Sequence, residues 1–192
     1  MAFAYRVAKL KLFASISATD AKPRNVSRNS MSDNINIFEF NGKLTEQNWL
    51  IYIVEIKSFN GKQYYIGKVG DNREGCNPII SRIGNHFSFN KIHSQLRNKL
   101  QLKPNEYSYK VFTLNVASYT EENRPYFREK INEFERFANQ LMQKHFLSNE
   151  ILNPYKGKHI SKKENERRNL ILNSFEKNQV ENLIKTIIND GK

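Results

Sequence analysis

The sequence predicts an α+β fold: a small antiparallel three-stranded sheet flanked by helices, with a helical C-terminal extension. Three observations predict it. Two apolar runs, 50–56 and 63–69, stand either side of an Asn60-Gly61 turn signal and read as a hairpin, with a turn longer than the tightest kind. A third run, 107–114, alternates Tyr107, Tyr109, Val111 and Thr113 against Lys110, Phe112 and Leu114. Between and after these runs the apolar spacing changes to the helical period.

The first run, Leu-Ile-Tyr-Ile-Val-Glu-Ile, is apolar on both faces and reads as a buried strand. Gln63–Val69 is the returning strand. Residues 71–78, with Gly75, Asn77 and Pro78, make a loop. A helix then starts near Pro78 and carries Ile79, Ile83 and Phe87 on one side. Residues 91–102 predict a second short helix, stopped by Pro104. After the third strand a long helix runs from about 122 to 146, with Phe127, Ile131, Phe134, Ala138 and Leu141 as its buried stripe. Ser161 followed by Glu164 is a capping-box pattern opening the helical tail. In that tail Val180, Leu183, Ile184, Ile187 and Ile188 give the last amphipathic helix.

Residues 1–30 differ from the rest, with six basic residues, a single acid and frequent Ser and Ala. They fit a transit peptide, a translated leader upstream of Met31, or a flexible basic arm on DNA. The predicted division is therefore 1–30 as a leader or arm, 48–156 as the folded domain and 157–192 as a helical extension.

With 192 residues, 39% of them hydrophobic, the chain holds enough apolar material for one core, which argues against a wholly disordered chain. The formal net charge is +12, and setting residues 1–30 aside leaves 25 basic and 18 acidic residues. A polyanionic partner follows, because each basic group set against a phosphate releases bound counterions. Cys76 is the one cysteine, so an intramolecular disulfide and a cysteine zinc finger are excluded. No apolar run approaches the roughly 18 residues of a membrane span. A cytoplasmic or nucleoid-associated location is expected, or an organellar one if the leader is a transit peptide.

One ordered constellation carries chemistry. Leu50-Ile51-Tyr52 is followed by Tyr65-Ile66-Gly67, then Arg82-Ile83-Gly84-Asn85-His86, His93, Glu135 and Asn153. This order resembles the GIY-YIG nuclease domain, over roughly residues 48–156. The second tripeptide is intact. In the first, Leu50 stands where the family has Gly, while Ile51 and the Tyr are kept. The stretch around His93-Ser94 also resembles the second histidine region of intron-encoded homing members.

The resemblance implies a metal-dependent endonuclease acting on DNA, with a compact, restriction-like organisation. Tyr52 is then the general base, and Tyr65 lies at the same catalytic surface. A phenol is a poor base at neutral pH unless nearby positive charge favours the phenolate, and Lys68 is a candidate for that charge. Arg82 and His86, four residues apart, share one helix face. The guanidinium would neutralise the phosphate and the imidazole would relay a proton. Glu135 would hold a divalent cation, magnesium, which keeps most of its waters and can rest on a single carboxylate. Asn153 would fix the site by hydrogen bonds. His93 is a further candidate, and Gly67 suits close backbone approach to a phosphate, or equally a bulge.

Lys162, Lys163, Arg167 and Arg168 in the tail fit a DNA backbone contact, or a solvated helix face packed on the domain. The alternative to an enzyme is a nucleic-acid-binding module without catalysis. A third reading, an unrelated basic α+β protein, predicts that Tyr52, Tyr65, Arg82 and Glu135 do not meet in space.

Overall fold

The computed structural model describes residues 38–70, 76–157 and 160–190. The readings made for residues 1–30, for most of the 71–78 loop and for His159 lie outside them. The chain divides into Met1–Glu39 and a unit Phe40–Lys192, and the fold described here is the second.

Three antiparallel strands, β1 (Asn48–Ser58), β2 (Gly61–Val69) and β3 (Ser108–Ser118), lie in the order β2-β1-β3. β1 is central, which explains its continuous apolar run: Asn48–Ile56 are all buried. The β1–β2 turn is tighter than the sequence suggested. Ser58 pairs with Gly61, so Phe59 and Asn60 alone make the turn. Gly61 closes it at φ +118, a conformation open to glycine. β3 is an edge strand and its side chains are only half-buried on their inner faces.

The helices are α1 (Ile79–Phe87), α2 (Arg124–His145), α3 (Lys162–Ile171) and α4 (Ser174–Asp190). α2 and α4 cover one face of the sheet, where Trp49, Ile51, Ile53 and Ile66 meet Ile131, Phe134, Met142, Val180, Ile184 and Ile187. α1 and the segment after it cover the other, where Leu50, Tyr52, Val54 and Tyr65 meet Ile79 and Leu96. The sheet is therefore the middle layer of three.

The predicted helix over 91–102 does not form. One 3-10 turn, Arg97–Lys99, remains. Local side-chain bonds take the backbone groups a helix would use. Gln95 Nε2 donates to Ile92 O at 2.9 Å and Asn98 Nδ2 to Lys91 O at 2.8 Å, carbonyls that a helix would offer to the N–H groups of Leu96 and Gln95. Only Leu96 and Ser94 of this stretch are buried, so it has no apolar stripe to dock.

The two C-terminal helices attach differently. α4 inserts apolar side chains into the core and is pinned to α2 by Lys130–Glu176 at 2.5 Å and to β3 by Lys110–Asp190 at 2.5 Å. α3 buries nothing. Its N-cap is Ser161, whose hydroxyl accepts from Glu164 N at 3.2 Å, and ion pairs tie it to α2. Among the described residues no helix is long and apolar enough to cross a membrane.

Phe134 has no solvent exposure and sits where α2 meets the sheet. Phe134→Ala should cost about 3–5 kcal/mol in urea unfolding. A loss well under 1 kcal/mol would contradict the packing of α2 described here.

Candidate active site at the β2 edge

Tyr52 stands on the central strand, directly opposite Gly67 of β2. The pairing has a steric reason. A Cβ at position 67 would overlap the Tyr52 ring carbons and hydroxyl. The glycine makes room for a phenol lying across the strand and marks no bulge, since the β1–β2 register is unbroken here.

The Tyr52 hydroxyl reaches His86 Nε2 at 2.6 Å, and both residues are fully buried. The ring of Tyr65 meets the His86 ring edge-on, with centroids 4.9 Å apart. Arg82 lies one helical turn before His86 on α1. Its charge acts on Tyr52, on Tyr65 and on His86. The charge of Glu135, from α2 on the opposite face, acts on both phenols. The two phenols, the imidazole, the guanidinium and the carboxylate therefore share one electrostatic neighbourhood. α1 supplies the guanidinium and the imidazole from one face of the sheet, and α2 supplies the carboxylate from the other.

Burial sets the protonation states. It drives the Tyr52 phenol well above its ordinary value, with Arg82 pulling the other way. Tyr65 is raised too, first by burial, again opposed by Arg82. His86 is lowered to about 4, by burial and then by the Arg82 charge. At neutral pH the imidazole is therefore uncharged and the phenol is protonated, and a ring proton on Nδ1 would make Tyr52 the donor and Nε2 the acceptor. His86 Nδ1 and Arg82 Nε are buried without a hydrogen-bond partner among the described residues.

Lys68 does not serve the phenols as expected. It points to the α2 side, where its ammonium lies 3.6 Å from Glu135 and bonds Asn132. Arg82 supplies the positive charge at Tyr52. Lys68 instead holds the carboxylate at the strand edge.

Asn153 acts through backbone. The segment after α2 runs along the open edge of β2, with Tyr64 N bonded to Glu150 O at 2.7 Å and Leu152 N to Tyr64 O at 2.9 Å. The Asn153 side chain continues this ladder. Its Oδ1 accepts from Ile66 N at 3.0 Å and its Nδ2 donates to Ile66 O at 2.7 Å. It touches neither phenol by these bonds, and it seals the edge one residue before Gly67.

Asn139 was not anticipated. It donates to Asn153 O at 2.8 Å and accepts from Tyr155 N at 2.7 Å, clamping the same segment. The available signal was its place one turn after Glu135, beside the buried Ala138. His93 stands apart: it is exposed on the loop after α1, and its N–H bonds Asn90 Oδ1.

Beside Glu135 and Asn153 opens a cleft of about 550 Å³, which Asn132, Asn139, Tyr155 and Lys156 also line. Arg167 and Arg168 form its far wall, already paired. Arg167 meets Glu129 at 2.6 Å and Glu164 at 2.8 Å, and Arg168 meets Glu164 at 2.8 Å. Lys162 is solvent-exposed and 4.0 Å from Glu166, and Lys163 is exposed as well. Glu135 keeps about a third of its side chain exposed. Among the described residues no three His, Cys, Asp or Glu side chains gather as a cation cage. Glu135 is the carboxylate that would hold a divalent cation here, with waters in the remaining positions as magnesium accepts. No protein-family model matches this chain, and no curated protein or solved structure matches it.

Gly67→Ala should destabilise the protein by at least about 2 kcal/mol, because the Tyr52 ring has nowhere to move. Unchanged stability would refute the phenol's position. His86 gives a pH signature. The unfolded imidazole takes its proton near 6.5 while the folded one resists to about 4, so its stabilising share is complete above 6.5 and is lost as pH falls towards 4. The thermal midpoint of the wild type should fall more over that window than that of His86→Gln. Parallel curves would contradict a buried neutral ring.

Proposed function

We propose that this chain is a metal-dependent endonuclease that hydrolyses DNA phosphodiester bonds, built as a GIY-YIG nuclease. The observation that carries the reading is the shared neighbourhood of Tyr52, Tyr65, Arg82, His86 and Glu135, five residues from four separate elements. The net charge of +12 agrees with a polyanionic substrate.

The chemistry follows from the protonation states. Phosphodiester hydrolysis needs an activated water, neutralised phosphoryl oxygens and a stabilised leaving oxygen. Tyr52 cannot act as a base while it keeps its own proton. His86 Nε2, uncharged and 2.6 Å from the phenol, is the acceptor within reach, and burial and Arg82 make the cationic ring a short-lived one. As Tyr52 takes a proton from the attacking water, its own passes to Nε2. Arg82 answers the charge on the phosphate and favours the phenolate as it forms. A divalent cation held by Glu135 would supply positive charge to the leaving oxygen. Lys68 positions Glu135, and Asn153 with Asn139 hold the strand edge between them.

Full burial of Tyr52 favours a second reading. In it the same groups form an internal network of a nucleic-acid-binding module that does not cut. Incubation with circular duplex DNA, with magnesium and with a chelator, separates the two. The nuclease nicks or linearises the circle with magnesium alone, whereas binding without cleavage in both conditions supports the module.

Glu135→Ala should abolish cleavage and leave DNA affinity nearly intact. Full activity in that variant would remove Glu135 from the site. Arg82→Ala should lower the cleavage rate by about 10²–10³-fold and also weaken binding.

A further inference from the structure

From Cys76 to Asn105 the chain has five Lys or Arg and no Asp or Glu. This acid-free stretch contains α1 and the loop that replaces the expected second helix. The loop carries two large apolar side chains in water: Phe89 is 87% exposed and Ile92 75%. Burying neither would ordinarily be unfavourable in a loose segment, but this loop is tightly built. Ser94 is buried and its hydroxyl ties together Ser88 and Asn90. Asn98 Nδ2 donates to Lys91 O at 2.8 Å and Gln95 Nε2 to Ile92 O at 2.9 Å. Arg97 donates to Phe87 O at 3.2 Å, folding the far end of the loop back on α1, and its guanidinium lies 3.8 Å from the Phe89 ring centroid. The result is an aromatic ring held out from a preformed loop in a stretch whose charged side chains are all basic, three residues past His86.

We propose that Phe89 is a wedge that stacks on an unstacked base of a bound nucleic acid, while Lys91 and Arg97 hold the flanking backbone. The proposal rests on the nucleic-acid reading above and adds how the substrate is gripped. Charge selects the occupant: the surface is complementary to phosphate, and an exposed ring beside a guanidinium offers a face to any base. Apolar side chains inserted between base steps also kink a duplex, which would open the backbone beside α1.

The test uses the full chain in chelator, so that cleavage plays no part. Anisotropy is measured on two short labelled duplexes, one fully paired and one with a single mismatched pair whose base unstacks easily. Wild type should prefer the mismatched duplex. Phe89→Ala should lose that preference by about tenfold, and Phe89→Trp should restore it. Lys91→Ala should weaken binding to both duplexes equally and reduce the salt dependence. A wild-type preference kept intact in Phe89→Ala would overturn the wedge. So would self-association, seen by sedimentation, that Phe89→Ala removes with DNA affinity unchanged. Because Phe89 is exposed, its variants should fold, and thermal unfolding checks this. Magnesium-dependent plasmid cleavage without any mismatch preference would sink the wedge alone. Failure of the wild type to bind either duplex would sink the wedge and the nucleic-acid reading together.

Discussion

The bond between the Tyr52 hydroxyl and His86 Nε2 organises this molecule. It joins the central strand to α1 through two fully buried polar groups, and burial is what fixes their chemistry. A phenol in water would share its proton with solvent. Here burial keeps the phenol protonated and the imidazole neutral. Arg82 makes the pair electrostatically uneven, favouring negative charge on the phenol and opposing positive charge on the ring. The pair requires Gly67, since any side chain there would occupy the space of the phenol.

A sheet edge is normally a liability, with a row of unpaired backbone groups. This protein closes the β2 edge with the segment after α2, and where that segment turns away the Asn153 amide replaces it. The same closure brings Glu135 and the cleft to within electrostatic reach of Tyr52 and Tyr65, although α2 and α1 lie on opposite faces of the sheet. Stability and the proposed chemistry thus depend on the same few residues, so edge variants such as Asn153→Ala combine both effects.

The architecture was largely legible because β1 is apolar on both faces and α2 and α4 keep strong helical stripes. The segment 91–102 was misread because its polar residues satisfy the backbone locally, an arrangement that leaves no periodicity to see. The hairpin turn is tighter than expected because Gly61 pairs with Ser58 and belongs to the strand. At the site, the order of residues named Tyr52, Tyr65, Arg82, His86 and Glu135, which share one electrostatic neighbourhood, together with His93, which stands apart, and their partners were not visible in it. Lys68 follows Gly67 in sequence, yet alternation on the strand sends it to the α2 side, where Glu135 is waiting. Asn139 has only its place one turn after Glu135 to mark it in the sequence, and its role depends on the loop it clamps. The pairing of Arg167 and Arg168 with Glu129 and Glu164 likewise depends on α3 folding against α2.

The most direct measurement is the nitrogen-15 spectrum of the His86 ring in the intact protein at neutral pH. The account predicts an uncharged ring with its proton on Nδ1 and an accepting Nε2, and a displaced Nε2 resonance when Tyr52 is replaced by Phe. A cationic ring, a proton on Nε2, or a spectrum indifferent to the loss of the phenol would contradict it.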